Sequence, residues 1–389
     1  EARVGNAAFD VIFTMKNTCK AVACNGFTFI PPTAKMQKPK ILMAMSGGID
    51  STVAAMLLLK QGFDLEGITF KVFDTEAVSG CAAASAIEDA RALATRLGIP
   101  HHVVDFRETF QKKVIQNFIS EYMQGRTPNP CVQCNSFIKW GMLLEKAEEL
   151  GCEKIATGHY ARIVEKNGTH FLALAADNLK DQTYFLWKIP AEQLSKTIFP
   201  LGDFTKTEIR EIARDKGFEQ LSQKTESQEI CFIPDNDYRK FLSENVPDFY
   251  ELCHEGDFLD LNGKPIGRHR GVPNYTIGQR KGLRVAFGTP KYVTALDASA
   301  NTVTLGDRDD LYSQELRAHE CLFADSSAVA ANPHVLARIR YRSEAVPATV
   351  EITGDATRVT FDKPVWGVTP GQSVVFYQGG LVVGGGIIA

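Results

Sequence analysis

The apolar run Ile41-Leu42-Met43-Ala44-Met45 leads straight into Ser46-Gly47-Gly48-Ile49-Asp50-Ser51, and this junction constrains the chain more than any other stretch. A short, fully apolar run suits a strand covered on both faces. Beyond the loop, Val53-Ala54-Ala55-Met56-Leu57-Leu58-Leu59 carries good helix formers and stops near Gly62, a natural C′ residue. Strand, glycine turn and helix in this order leave backbone N–H groups unpaired at the positive end of a helix dipole, which makes an anion site. Gly47 and Gly48 let the main chain approach phosphates closely, and the Ser46 and Ser51 hydroxyls can add donors. A Walker A loop needs Lys-Ser or Lys-Thr after its last glycine, which this loop lacks. The alternative is a generic βα turn with a serine N-cap; position and composition together favour phosphate binding.

The alternation continues downstream. Leu65 to Phe70 reads as a strand, Ala84 to Leu97 as a helix closed by Gly98, His102 to Asp105 as a strand and Phe110 to Met123 as a helix. The turn-rich Gly125-Arg126-Thr127-Pro128-Asn129-Pro130 precedes Cys131-Val132-Gln133-Cys134 and a helix through Leu150; Lys154 to Thr157 is a strand ending at Gly158-His159. Such alternation predicts a parallel sheet covered on both faces, with ligands at the carboxyl ends of its strands. After about Asp235 the texture changes. A helical segment near Tyr238 to Glu244 leads into a glycine-rich basic stretch, and from about Val293 short alternating runs dominate, separated by Gly, Pro and Asp. That is the spacing of a small antiparallel barrel or sandwich. The fold class is therefore α/β: a parallel-sheet domain over 37–236, a small central domain over 237–305 and an antiparallel β-barrel over 306–389.

Charge and cysteine usage narrow the function. With 43 Lys+Arg against 46 Asp+Glu the net charge is -3, which excludes a protein that coats nucleic acid through charge alone. The average hides one segment: between Leu261 and Leu296 lie Lys264, Arg268, Arg270, Arg280, Lys281, Arg284 and Lys291 with no Asp or Glu. It reads as a solvated loop or as a phosphate-contacting surface. No apolar run approaches a membrane span. Glu1 to Lys35 opens without Met and lacks the pattern of a signal or transit peptide, so we expect an extension over 1–36, upstream or artificial, with Met36 as the natural start. Nine cysteines is an odd count, which suits reduced thiols in the cytoplasm better than a disulfide framework. Cys131-Val132-Gln133-Cys134 alone could be half a zinc site, a redox pair or two small hydrophobes. Cys231, in Ser227-Gln228-Glu229-Ile230-Cys231-Phe232-Ile233, stands at a polar-to-apolar boundary, and spacing leaves functional and structural thiols equally open.

Several spaced motifs occur in one order: Ser46-Gly47-Gly48-Ile49-Asp50-Ser51; Gly125-Arg126-Thr127-Pro128-Asn129-Pro130 leading to Cys134-Asn135; Ala156-Thr157-Gly158-His159-Tyr160-Ala161-Arg162; Lys180-Asp181-Gln182-Thr183-Tyr184-Phe185-Leu186; Ile230-Cys231-Phe232-Ile233; and Tyr275-Thr276-Ile277-Gly278-Gln279-Arg280-Lys281-Gly282-Leu283. From about Lys38 to the C-terminus the chain resembles the tRNA-specific 2-thiouridylase family, MnmA type. The resemblance implies a PP-loop ATP pyrophosphatase domain, adenine nucleotide alpha hydrolase-like, and ATP-dependent 2-thiolation of the wobble uridine in tRNAs for Lys, Glu and Gln. It implies ATP, with Mg²⁺, at Ala44, Met45, Ser46, Gly47, Gly48, Ile49, Asp50, Ser51, Phe70 and Gly158. It makes Cys231 the persulfide carrier and Cys134 the nucleophile, ending in a Cys134–Cys231 disulfide that must be reduced. For tRNA it implies Asn129, Pro130, Cys131 and His159 near the base, Lys180, Asp181 and Gln182 on the RNA, and Arg340, Tyr341 and Gln372 from the barrel. The expected partners are tRNA and a sulfur donor, either a cysteine desulfurase or a sulfur-relay protein. Cys131 departs from the pattern, because the best-known members carry Asp there as a general acid/base. Cys131, Cys134 and Cys231 could instead hold an iron-sulfur cluster, or Cys131 could be structural. Other readings are a different ATP pyrophosphatase, such as a tRNA cytidine thiolase or amidotransferase-like synthetase, and a tRNA-binding protein without catalysis. Cys81, Cys152, Cys253 and Cys321 read as structural, and Cys19 and Cys24 as incidental.

Overall fold

The structure, a computed structural model, describes residues 38–73, 82–223, 230–283, 288–354 and 356–389. The expectations for residues 1–36, Cys19, Cys24, Cys81, Arg284 and Ser227 to Glu229 lie outside them. The expected parallel sheet is present, in the order β3 (His101–Asp105), β2 (Asp64–Lys71), β1 (Lys40–Ala44), β4 (Lys154–Ala156), β7 (Thr197–Ile198). Central β1 pairs parallel with β2 and β4, and Ile41, Leu42 and Met43 have no exposed surface, which is why the run is apolar at every position. The chain leaves β1 toward β2 and returns to β4 on the other side. The loop 46–51 and Gly158-His159 therefore flank the switch point where such sheets bind ligands.

Four helices matter for the site. α1 (Ile49–Lys60) is buried from Ser51 to Leu58, an apolar-all-round helix packed in the interior of the domain. α2 (Ala82–Leu97) follows β2, and α3, over 107–123, contains a π-helical stretch at Gln111–Ile115. α4, over 130–149, starts with Pro130 in its first turn and is π-helical over Cys134–Met142.

A hairpin of β5 (Arg162–Lys166) and β6 (Thr169–Ala173) leaves the parallel-sheet domain and pairs, at Ala173 with Leu381, with the last barrel strand. The central domain is a sheet of β8 (Gly256–Leu259), β9 (Pro265–His269), β10 (Tyr292–Asp297) and β11 (Thr302–Gly306). The barrel comprises β12 (Tyr312–Phe323), β13 (His334–Arg338), β14 (Val346–Thr353), β15 (Ala356–Trp366), β16 (Ser373–Gln378) and β17 (Leu381–Ile388), closed by antiparallel pairing of β12 with β17. Trp187 docks on it: its indole N–H donates to Ser373 Oγ at 3.0 Å, and Gly385 offers a flat surface for its ring. A Cβ at Gly385 would lie 2.7 Å from the Trp187 ring. Gly385→Ala should therefore overpack the junction and destabilise the protein by about 2 kcal/mol, measured by urea unfolding. No helix of the described residues is long and apolar enough to cross a membrane.

Candidate active site

The phosphate loop is tied down by its own hydroxyls. Ser46 N–H donates to Ser51 Oγ (3.1 Å), Ser51 Oγ donates to Gly48 O (3.2 Å), and Thr69 Oγ1 donates to Met45 O (2.7 Å) at the end of β2. Gly47 takes φ +72°, and a Cβ there would lie 2.6 Å from Ala86 O, so only glycine fits. Gly48 is the N-cap of α1 and makes no side-chain cap bond, which leaves the first-turn N–H groups without intrahelical partners. Gly158, after β4, packs on the same turn: a Cβ at Gly158 would lie 2.8 Å from Ser51 N. Phe70, at the end of β2, is half-buried against Phe106 with ring centroids 5.3 Å apart.

Asp50, in the first turn of α1, accepts from Tyr160 OH (2.7 Å) and from Lys206 Nζ (2.8 Å to each carboxylate oxygen). Lys206 opens a helix, Lys206–Asp215, where a cation opposes the dipole; Asp50 accounts for its burial there. Lys206→Met leaves Asp50 with a weaker partner set and should destabilise the protein by about 2 kcal/mol in thermal unfolding. The Thr205-x-x-Glu208 capping box that starts this helix was readable in the sequence, whereas its pairing with Asp50 was not.

His159 links the loop to the thiols. Its Nε2 lies 3.2 Å from Lys139 Nζ and its Nδ1 2.7 Å from Thr157 Oγ1. An ammonium can only donate, so Nε2 accepts and Nδ1 carries the proton toward Thr157. Burial, reinforced by Lys139, holds the His159 pKa well below its ordinary 6.5. The unfolded chain takes up this proton below about pH 6.5 while the folded chain does not, so this contribution to stability is present above that pH and lost on acidification. Urea unfolding between pH 7 and 5 should show the loss, and His159→Gln should flatten it.

Lys139 faces the cysteines because of the π-helix. In an α-helix, residue 139 would be turned about 140° from residue 134; i→i+5 winding over Cys134–Met142 brings them to one face. Sequence spacing gave no hint of this. Cys231 is anchored next door by Phe232, which packs edge-to-face on Phe110 (5.8 Å) and Phe118 (5.3 Å) in the aromatic cluster that Cys134 also touches. Cys131 and Cys231 are exposed and Cys134 is half-buried; all three are free thiols. The surrounding protein pushes Cys231 up to about 12, with Cys134 and Cys131 adding to the effect. The same cause raises Cys131 to about 11 and also raises Cys134, while Lys139 pulls all three down. Among the described residues no group of three or more His, Cys, Asp or Glu side chains is placed to hold a metal ion.

The remaining expected positions surround this centre. Asn129 is the N-cap of α4, Pro130 is buried, and Asn135 Nδ2 donates to Phe185 O (2.8 Å). Gln182 pairs with the Tyr160 backbone, donating from its own N–H and accepting at Oε1, both at 2.9 Å. Asp181 is buried and accepts from Ala175 N–H (2.8 Å) and Thr183 Oγ1 (2.5 Å), so its carboxylate shapes the turn bearing Lys180. Arg340 and Tyr341 lie in a turn beyond β13, where Arg340 donates to Gly367 O (2.8 Å) and Tyr341 packs on Phe185 (4.5 Å). In the basic stretch Lys264, Arg270, Arg280 and Lys281 are exposed, whereas Arg268 and Lys291 pair with Asp257 and Asp307.

Comparison with known proteins matches three successive stretches of the chain. Residues 39–235 match a family model described as the tRNA methyl transferase HUP domain, 239–307 the tRNA methyl transferase PRC-barrel domain and 313–388 the aminomethyltransferase beta-barrel domain. The chain is 46% identical over 360 residues to the tRNA-specific 2-thiouridylase MnmA of Amoebophilus asiaticus, covering 91% of this chain and 96% of that protein. It is 47% identical over 359 residues to the protein of the same name from Heliobacterium modesticaldum, covering 90% and 92%. A solved 4-thiouridine synthetase–RNA complex with bound ATP is similar over 54% of this chain and 51% of its own, at 24% identity and a TM-score of 0.36. The 46% and 47% identities to the two 2-thiouridylases, each over at least 90% of both chains, mean that the chain belongs to the tRNA-specific 2-thiouridylase family.

Proposed function

We propose that this tRNA-uridine 2-sulfurtransferase adenylates the C2 oxygen of the wobble uridine and replaces it with sulfur carried on Cys231. The uracil C2 carbonyl is a poor electrophile and its oxygen a poor leaving group, so activation must come first. The loop from Ala44 to Ser51, with Gly158 behind it and Phe70 beside the base, binds ATP; Mg²⁺ supplies charge neutralisation on the phosphates. The C2 oxygen attacks the α-phosphate and pyrophosphate leaves. The terminal sulfur of a Cys231 persulfide attacks C2, and AMP departs with the former oxygen. Cys134 then attacks the Cys231 sulfur, freeing the thiocarbonyl and closing a Cys134–Cys231 disulfide that an external dithiol reopens. Raised thiol pKa values favour this carrier, because a persulfide ionises near neutrality more readily than the thiols around it.

The observation that supports this reading is a chain of neighbours from thiols to phosphate loop: Lys139, whose charge acts on all three thiols, lies 3.2 Å from His159, and the adjoining Gly158 packs on the Ser51 backbone. An adenylate formed on the loop is therefore next to the sulfur. The substrates are tRNAs for Lys, Glu and Gln, held by phosphate contacts from Lys264, Arg270, Arg280 and Lys281, with Lys180 and Tyr341 nearer the anticodon. The wobble base is single-stranded, so extruding it costs only its stacking. A cysteine desulfurase or a sulfur-relay protein supplies the sulfur, and the reaction runs in the cytoplasm. Metal-free protein incubated with ATP, Mg²⁺, a persulfide donor and an anticodon stem-loop should yield 2-thiouridine by nucleoside mass spectrometry. Stem-loop binding without 2-thiouridine would contradict this.

A further inference from the structure

The turn that carries the thiols is held by the barrel. Thr127 N–H donates to Pro370 O (2.8 Å), and the Gln372 amide donates from Nε2 to Thr127 O (2.9 Å) and Pro128 O (3.1 Å). Gly371 takes φ +87°, and a Cβ there would lie 2.9 Å from Thr127 O and 3.0 Å from its N, so the two backbones meet with no side chain between them. The barrel side is braced in turn. Gly371 N–H donates to Ile388 O (2.9 Å), Ile388 N–H donates to Gln372 O (2.8 Å), and Arg340 Nη2 donates to Thr369 Oγ1 (2.6 Å). On the catalytic side, Thr127 and Pro128 run directly into Asn129, the N-cap of α4, and then to Cys131 and Cys134. Pro128 and Pro130 restrict φ on either side of Asn129, so a displacement at 127–128 is passed on rather than absorbed.

We propose that Gln372 and Gly371 are positioning residues of the thiolation reaction: through the Thr127–Pro128 backbone the barrel sets the register of the turn bearing Cys131 and Cys134. Both Nε2 hydrogens of Gln372 point to protein carbonyls, so this role uses its donors and leaves only Oε1 for the RNA contact that family resemblance implies. The kinetic consequence rests on the thiolation reading; the structural consequence does not. A nucleophile misplaced by an ångström loses about a hundredfold in rate, and removing part of the clamp should cost about tenfold.

Gln372→Ala, and Gln372→Glu as a side chain of similar size that cannot donate, are compared with wild type after thermal melts confirm folding. Hydrogen exchange of peptides covering 124–136 should quicken in both variants while barrel peptides stay unchanged. Single-turnover thiolation of a saturating anticodon stem-loop should fall about tenfold, with stem-loop Kd within about twofold of wild type. Unchanged exchange over 124–136 would overturn the proposal. So would a weakened Kd with an unchanged rate, which would return Gln372 to the RNA surface. A wild type that never thiolates would defeat the thiolation reading instead, and the exchange result would still decide the clamp.

Discussion

Cys134→Ser and Cys231→Ser should each lower thiolation by about a thousandfold or more while leaving tRNA-dependent pyrophosphate release from ATP intact. The separation follows from the geometry. The phosphate loop is built from Ser46, Ser51, Thr69 and Gly158 without help from either thiol. Serine preserves shape, so the aromatic cluster around Phe232 and Cys134 should stay packed. What is lost is sulfur that can carry and release a second sulfur. Cys131 should behave differently: the family resemblance puts it at the place of an Asp, so Cys131→Asp should retain thiolation, whereas a cluster ligand would not tolerate that change without loss of iron and sulfide. Quenched-flow pyrophosphate release run beside nucleoside mass spectrometry checks all three variants. Parallel loss of pyrophosphate and thiolation in the serine variants would contradict the assignment.

Gly158→Ala should cost about a hundredfold in kcat/KM for ATP, read as pyrophosphate release. The added methyl would lie 2.8 Å from Ser51 N and 2.9 Å from the Asp50 carbonyl carbon, pushing against the first turn of α1, whose N–H groups we propose as the phosphate donors. Gly48→Ala is the comparison within the loop: its φ of -100° suits any residue and its Cβ would meet only Ser46 Oγ of the protein, at 3.4 Å, so its effect reports crowding of the bound phosphates rather than a displaced backbone. Gly48→Ala should stay within about tenfold of wild type. Equal damage from both substitutions would mean that the loop is sensitive to any added bulk.

The parallel sheet and the phosphate loop were legible because both depend on local chemistry. Ile41 to Met43 are apolar at each position because β1 is buried on both faces, and Gly47 is glycine because φ +72° and Ala86 leave no room for a side chain. The hairpin β5–β6 also carried its signal, Asn167-Gly168, both at positive φ, but its docking on β17 joins Ala173 to Leu381 and cannot be read locally. Lys139 was invisible for a different reason. Its approach to Cys134 depends on π-helical winding, and the apolar pattern of Cys134–Met142 does not distinguish that winding from an α-helix. Gln372 shows the limit of motif transfer: its position was expected, whereas its hold on Thr127 and Pro128 needed the barrel in place.

Adenylation requires the C2 oxygen of the wobble uridine to leave as part of AMP. An anticodon stem-loop labelled with ¹⁸O at that position, incubated with the enzyme, ATP, Mg²⁺ and a persulfide donor, tests it directly by mass spectrometry of the AMP formed. Transfer through the adenylate should give one ¹⁸O-labelled AMP for each 2-thiouridine; 2-thiouridine accompanied by unlabelled AMP would rule that route out.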